Sequence, residues 1–370
     1  MATIIFKTIE KCNSNCIYCD TIKKKQEKVM SHELMQIVFM RINEYLVDNL
    51  DDDIQLTWHG GEIGLLGAEY FQEARKFQER HCSQTKGRIK HLIQSNLTLV
   101  NQEMIDVFHQ LGITNIGTSY EPIPGIRGFG AKRDSKAYNR RFMEGINLLK
   151  QNNIQWGLIY VVNKKSLEKP LEIFHHLINL NPMAGPNFNM IICYDDTLHD
   201  LNITPEEYVD FMGEIFLRWW PDRDRYPNIN PLSRHVNNLD GKALILGCEL
   251  SGDCANKWLY IGPNGETSQC GRSGDFHGFP YGDIQERSIQ ELLHDNKRND
   301  FKKRQQLLPE TDCSVCRFWG ICHGGCALEP FFTYGDMMRK SPNCYIVKGL
   351  MEKYVEPATG LKADFRPTGI

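Results

Sequence analysis

Two periods of apolar positions run through the first half of the chain. Short apolar runs predict strands over Thr3–Ile9, Ile54–Trp58, Ile89–Gln94, Asn115–Ser119, Gln155–Val162 and Phe188–Cys193. Helical patterns lie between them, over His32–Asp48, Ala68–His81, Gln102–Leu111, Ser135–Gln151 and Leu167–Ile178. Within the first of these, Leu34, Ile37, Val38, Ile42 and Leu46 follow the period of an amphipathic helix. Repeated β–α units predict a parallel sheet with right-handed crossovers. By itself this alternation fits a partial (βα)6 barrel and a doubly wound sheet equally. A further helix is predicted to start at Thr204-Pro205-Glu206-Glu207, where Thr204 and Glu207 can form a capping box, and to end at Trp219–Trp220. The Pro-, Asn-, Asp- and Arg-rich stretch from Pro221 to Asp240 reads as a connection between domains. Beyond it, Tyr345–Tyr354 reads as helical and the tail as irregular.

The cysteines change this picture. Directly after the first predicted strand stand Cys12, Cys16 and Cys19, with Tyr18 just before the third. Iron–sulfur clusters are normally held by four thiolates. Three at this spacing can bind three irons and leave the fourth iron for a ligand. A second set comprises Cys248, Cys254, Cys270, Cys313, Cys316, Cys322, Cys326 and Cys344, enough thiolates for two fully ligated clusters. Only Cys82 and Cys193 fall outside the two sets. Taken alone, the C-x2-C spacing of Cys313 to Cys326 fits structural zinc as well as iron. Zinc explains the N-terminal triplet poorly, because a fourth ligand is missing.

Composition narrows the class. The chain has 370 residues, enough for two domains, and a net charge of −3, which gives no basic footprint for general nucleic-acid binding. No apolar run reaches the roughly 20 residues that span a bilayer. Lys7, Glu10 and Lys11 interrupt the first segment, so no signal peptide is read there. Many thiols without an export signal predict a reducing, cytoplasmic location and argue against a disulfide framework.

Cys12-x3-Cys16-x2-Cys19 with its aromatic Tyr18 resembles the signature of the radical S-adenosylmethionine (radical SAM) enzymes. The eight later cysteines resemble the SPASM domain, an auxiliary-cluster module behind radical SAM barrels in peptide- and protein-modifying enzymes. The resemblance implies an α/β fold, a partial (βα)6 radical SAM barrel followed by a small cysteine-rich SPASM domain. It places the barrel at 1–220, a bridging region at 221–247, the SPASM domain at 248–350 and a tail at 351–370. It implies S-adenosylmethionine and three [4Fe–4S] clusters, one SAM-binding and two auxiliary. One electron from the first cluster would cleave SAM to a 5′-deoxyadenosyl radical, so a reducing donor such as flavodoxin or ferredoxin is expected. By the family's order, Cys248, Cys254, Cys270 and Cys326 would hold one auxiliary cluster, and Cys313, Cys316, Cys322 and Cys344 the other.

The resemblance also implies SAM contacts. Gly60-Gly61-Glu62 follows the second strand, where such a segment meets the SAM amino group; Ile63 replaces the family's usual proline. Asn96 ends the third strand and Ser119 the fourth, the latter within Ser119-Tyr120-Glu121-Pro122. Arg133, with Arg140 and Arg141 as rivals, is the candidate partner of the SAM carboxylate, and Tyr194 the candidate neighbour of adenine. His59 and Cys193 are expected to pack, and Cys82 has no evident partner. No catalytic side chain is assigned.

The overall layout resembles the anaerobic sulfatase-maturating enzymes, which oxidise Cys or Ser to formylglycine. Their aspartate base directly follows the third SPASM cysteine; here Gly271 and Arg272 follow Cys270. Asp253, Asp275 and Asp283 are possible replacements. Related maturases of ribosomally made peptides form cross-links, and many carry an N-terminal leader-binding domain, which this chain is expected to lack. The expected substrate is a peptide or protein, with no nucleic-acid or membrane partner. The leading expectation is an oxidative, cross-linking peptide maturase. A sulfatase maturase and a non-catalytic metal-cluster scaffold that binds a protein partner are the alternatives.

Overall fold

The computed structural model describes residues 1–19, 27–180, 182–183, 185–192, 200–239 and 244–367. The chain divides into two compact units, neither continuous in sequence: residues 1–157 with 255–298, and residues 158–254 with 299–370.

In the first unit β1 (Ala2–Ile9), β2 (Ile54–Gly60), β3 (Ile89–Gln94) and β4 (Asn115–Ser119) alternate with α1 (His32–Asp48), α2 (Gly67–His81), α3 (Gln102–Gln110) and α4 (Ser135–Gln151). Strand order is β4-β3-β2-β1-β7-β8-β9, with β7 (Trp258–Ile261), β8 (Glu266–Ser268) and β9 (Pro280–Asp283) contributed by the later segment. The pairs from β4 to β7 are parallel, whereas β7–β8 and β8–β9 are antiparallel.

Alternation of side chains along the strands separates a packed face from a functional one. Ile4, Phe6, Ile54, Leu56 and Trp58 are fully buried beneath the helices. Trp58 meets Phe6 edge-on with 4.9 Å between ring centroids, and Phe71 of α2 at 5.1 Å. The opposite face of β1 carries Ile5 and Lys7, with Tyr260 beside Ile5 and His59 beside Lys7 in register. Ser31 caps α1 by accepting the Leu34 N–H at 3.2 Å. The buried stripe of α1 is Leu34, Met35, Val38, Phe39, Ile42, Tyr45 and Leu46; Ile37, expected in it, is only half-buried.

The second unit holds the parallel pairing of β5 (Gln155–Val162) with β6 (Pro186–Met190), from Leu158 onward, and the helices α5 (Pro170–Asn179), α6 (Pro205–Trp219) and α7 (Leu232–Leu239). Two expectations shift here. The start of α5 moves from Leu167 to Pro170, because Asn163 caps a separate 3-10 turn over Lys164–Ser166 and proline suits the first helical turn. Strand β6 starts two residues earlier than predicted and ends at Met190. The stretch from Pro221 to Asp240, read as a connection between domains, contains α7. The capping box of α6 forms as predicted: Thr204 Oγ1 accepts the Glu207 N–H at 3.2 Å, and Glu207 accepts the Thr204 N–H at 3.0 Å. Gly213 of α6 lies against Tyr354, where a Cβ would stand 2.0 Å from the ring carbon Cζ. Cys193 and Tyr194 lie outside the described residues. Among the described residues no helix is long and apolar enough to cross a membrane.

Candidate functional site

Strand β1 ends at Ile9 and runs directly into the loop of Cys12, Cys16 and Cys19. Three neighbouring segments pin that loop. The first is the end of β2. The Gly61 N–H donates to Ile9 O at 2.9 Å, and the Glu62 N–H to Lys11 O at 3.0 Å. This approach demands glycine: a Cβ on Gly61 would lie 2.4 Å from Lys11 O and 2.5 Å from Glu10 O, and one on Gly60 would lie 2.3 Å from Ile9 O.

The second is the end of β3. Asn96 Nδ2 donates to Asn13 Oδ1 at 2.9 Å and to Ser14 Oγ at 3.2 Å, while Asn13 Nδ2 donates to Thr98 Oγ1 at 2.8 Å. Glu62, 1% exposed, accepts from Ser95 Oγ at 2.7 Å and from the N–H groups of Asn96 (2.6 Å) and Gly64 (2.8 Å). Burial raises its carboxyl pKa, and these donors oppose that rise.

The third is the loop after β4. The N–H groups of Asn15 and Ile17 donate to Gly128 O and Ile126 O at 2.8 and 2.9 Å. Arg133 Nε donates to Asn15 O at 3.0 Å. Tyr18 donates its phenol hydrogen to Glu121, and Arg127 pairs with Glu121 while donating through Nη2 to the Tyr18 oxygen at 2.5 Å. Both members of the ion pair are buried. Ser119 Oγ accepts from Gln94 Nε2 at 3.3 Å.

The loop thus brings Tyr18, Gly60, Gly61, Glu62, Asn96 and Arg133 to one place, at the C-terminal ends of the parallel strands. Sequence reasoning missed Arg127 and the role of Glu121. The signal available was an acidic residue two positions beyond β4 followed by the only arginine ahead of Arg133 in that loop.

The donor set fits a cluster. Burial pushes the thiol of Cys12 up to about 12, opposed by the Ser14 N–H, and that of Cys16 up to about 11, opposed by the cations of Arg127 and Arg133. Metal binding displaces such protons. In the second unit, burial raises Cys322 to about 12, and the neighbouring thiols Cys313, Cys316 and Cys344 raise it further. Cys313 rises to about 11, again first from burial. These four are the cysteines expected to share one auxiliary cluster. Cys248, Cys254 and Cys326 also lie in the second unit, and Cys270 opens α8 (Gly271–Asp275) in the first. Among the described residues no three His, Cys, Asp or Glu side chains form a group that could hold a single metal ion. Cys82 donates to Phe39 O at 3.3 Å inside the α-helical layer.

A second polar cluster lies on the functional face of β1. Lys7, 5% exposed, donates through Nζ to Asp275 Oδ1 at 2.6 Å, with Glu10 at 3.7 Å. His59, expected only to pack, adjoins this pair: burial holds its pKa below the ordinary value, Asp275 opposes that fall and Lys7 adds to it. A cavity of about 260 Å3 opens beside them, lined by Lys7, Glu10, Tyr260, Asp275 and His277 among others.

Comparison with known proteins agrees with this anatomy. Residues 6–177 match the radical SAM superfamily, and residues 248–317 match SPASM, an iron–sulfur cluster-binding domain. The serine-type anaerobic sulfatase-maturating enzyme of Bacteroides thetaiotaomicron is 26% identical over 357 residues, covering 88% of this chain and 82% of that protein. The cysteine-type enzyme of Clostridium perfringens is 22% identical over 339 residues, 85% of each. The structure of native anSMEcpe with bound AdoMet superposes with a TM-score of 0.80 at 18% identity, covering 97% of this chain and 99% of that one. Streptococcus suis SuiB bound to the precursor peptide SuiA gives 0.61 at 12% identity, over 92% and 74%. The chain carries a radical SAM domain, and its α/β fold is shared with the superposed anSMEcpe structure. More particularly, a SPASM domain follows it, and the two domains together indicate S-adenosylmethionine and iron–sulfur clusters.

Proposed function

We propose that this protein is a radical SAM oxidase acting on a peptide or protein, and that it forms an intrapeptide cross-link in a ribosomally made substrate. The observation that carries the reading is the three-cysteine loop pinned to the ends of β2 and β3, combined with Gly271 after Cys270 where sulfatase maturases place a carboxylate. Cys12, Cys16 and Cys19 ligate the first cluster, with Gly60, Gly61, Glu62, Asn96, Ser119, Arg133 and Tyr194 around bound S-adenosylmethionine and Tyr18 bracing the loop. Cys248, Cys254, Cys270 and Cys326 hold one auxiliary cluster, and Cys313, Cys316, Cys322 and Cys344 the other. A flavodoxin or ferredoxin supplies electrons. With the cluster and S-adenosylmethionine bound there, one-electron cleavage of S-adenosylmethionine would supply the radical that takes hydrogen from an unactivated carbon. The protein orients the substrate and excludes side reactions.

A second reading has one specific support. Asp275 stands one helical turn beyond Cys270 and is held by Lys7 beside His59, so it can replace the missing base of a sulfatase maturase. The relatives of 26% and 22% identity carry that activity by name.

Anaerobic co-expression with the small reading frames beside the gene, followed by mass spectrometry, separates the two. Loss of two hydrogens with fragmentation blocked between two residues supports the cross-link. An aldehyde on a sulfatase-derived Cys or Ser peptide, trapped by a hydrazine, replaces it with the second reading.

A further inference from the structure

Arg304, on helix α9 (Asn299–Leu307), is 1% exposed. Among the described residues its hydrogen bonds all go to main-chain carbonyls. Nε donates to Met337 O at 2.8 Å and Arg339 O at 3.3 Å. Nη2 donates to Gly324 O at 2.7 Å and Arg339 O at 3.2 Å, and Nη1 to His323 O at 3.4 Å. No carboxylate among the described residues forms an ion pair with it. Guanidinium keeps its proton in proteins, so this is a buried cation without a carboxylate partner. Such a charge is strongly unfavourable unless a negative group offsets it.

The neighbours identify that group. Gly324 sits midway between Cys322 and Cys326, and a Cβ there would lie 3.3 Å from Arg304 Nη2 and 2.3 Å from Leu308 Cδ1. The same Leu308 accepts the Cys313 N–H at 2.9 Å. The thiols acting most strongly on Arg304 are those of Cys326, Cys313, Cys254 and Cys322, in that order. Two of them belong to each expected auxiliary set. Carbonyl bonds fix the guanidinium in orientation but carry no charge; thiolates bound to iron supply it.

We infer that Arg304 is a positioning residue shared by the two auxiliary cysteine sets: it fixes the turn from Cys322 to Cys326 and supplies a permanent positive charge that raises the auxiliary reduction potentials. The inference rests on the reading of these cysteines as cluster ligands. A fixed cation favours the reduced cluster, which carries one more negative charge, and hydrogen bonds and net charge around a cluster are what set its potential.

The test uses the full chain with Cys12, Cys16 and Cys19 replaced by alanine, loaded anaerobically with iron and sulfide, so that only auxiliary clusters contribute to the paramagnetic spectrum. Arg304→Gln and Arg304→Lys are compared with this parent by iron content and by redox titration. The expected result is retained iron and a potential in Arg304→Gln lower by at least tenfold in the one-electron equilibrium, about 59 mV, with a smaller shift in Arg304→Lys. Iron lost from the Gln variant and kept by the Lys variant supports the same role. Equal shifts, equal iron loss in both variants, or an unchanged potential in Arg304→Gln overturns it. A parent that binds zinc, or no metal, overturns the cluster reading itself and the inference with it.

Discussion

The phenol of Tyr18 lies 2.8 Å from both carboxylate oxygens of Glu121, one residue ahead of Cys19 and two beyond the end of β4. Arg127 closes the arrangement from the same loop, so the cysteine loop is tied to the sheet through a buried charge pair. Removing one partner of such a pair leaves the other buried and uncompensated. Arg127→Met is expected to destabilise the fold by about 3–5 kcal/mol and to lower iron at the first site. Arg127→Met with Glu121→Gln should recover part of that loss, because the stranded charge is gone and the new amide oxygen still accepts from Tyr18. Denaturant midpoints and iron content check this; a stable, iron-replete Arg127→Met protein refutes the bracing role.

Gly61→Ala tests the approach of β2 to the cysteine loop independently of charge. Its Cβ would collide with two main-chain carbonyls rather than with flexible side-chain ends. The expected destabilisation is about 1–3 kcal/mol, with loss of S-adenosylmethionine binding and retention of the auxiliary-cluster spectrum. Binding at the parent level would mean that the loop tolerates a shift of these carbonyls.

Much of this site was legible before any coordinates. The three cysteines, Gly60-Gly61-Glu62 and Asn96 sit where strand ends were read from apolar runs, because strand periodicity fixes where each strand stops. Arg127 was not legible; Arg133 was weighed only against Arg140 and Arg141. Arg127 and Arg133 lie in one irregular loop, and no periodicity says which guanidinium turns inward. Arg304 was hidden for a related reason. Helix α9 is polar along most of its length, so one buried cation leaves no apolar stripe to reveal it. The Lys7–Asp275 pair joins residues 268 positions apart, a distance over which no local pattern operates.

His91 of β3 gives the fold a pH dependence. Its Nδ1 accepts from Trp58 Nε1 at 3.0 Å and its Nε2 faces Gln78 Oε1 at 3.2 Å, an arrangement that suits the neutral ring. Burial pushes its pKa down to about 4, from an unfolded value near 6.5. Between those values the unfolded chain binds the extra proton. The stabilisation is therefore fully present above about pH 6.5 and is lost as pH falls towards 4, by about 3 kcal/mol in all. His235, also pushed to about 4 by burial, adds a similar share. His91→Gln keeps an acceptor for Trp58 and should remove the His91 share of the slope. An unchanged slope, measured by denaturant unfolding across this range, would show that His91 is protonated in the folded protein.

Asp275 and Lys7 distinguish the two functional readings. The pair joins β1, which leads into Cys12, to α8, which begins after Cys270. After Asp275→Asn, the remaining ion-pair partner of Lys7 among the described residues is Glu10, at 3.7 Å. Because Asp275 is a quarter exposed, the expected destabilisation is modest, about 1–3 kcal/mol. Product formation should fall at least tenfold while 5′-deoxyadenosine is still released. Lys7→Met combined with Asp275→Asn then decides what the pair does. If it only holds α8 against β1, an uncharged pair of similar shape restores product. If Asp275 accepts a proton from the substrate, as a sulfatase maturase requires, no uncharged partner restores it. Recovery in the double variant would sink the sulfatase-maturase reading, and continued loss would leave Asp275 as the base the sequence lacks beside Cys270.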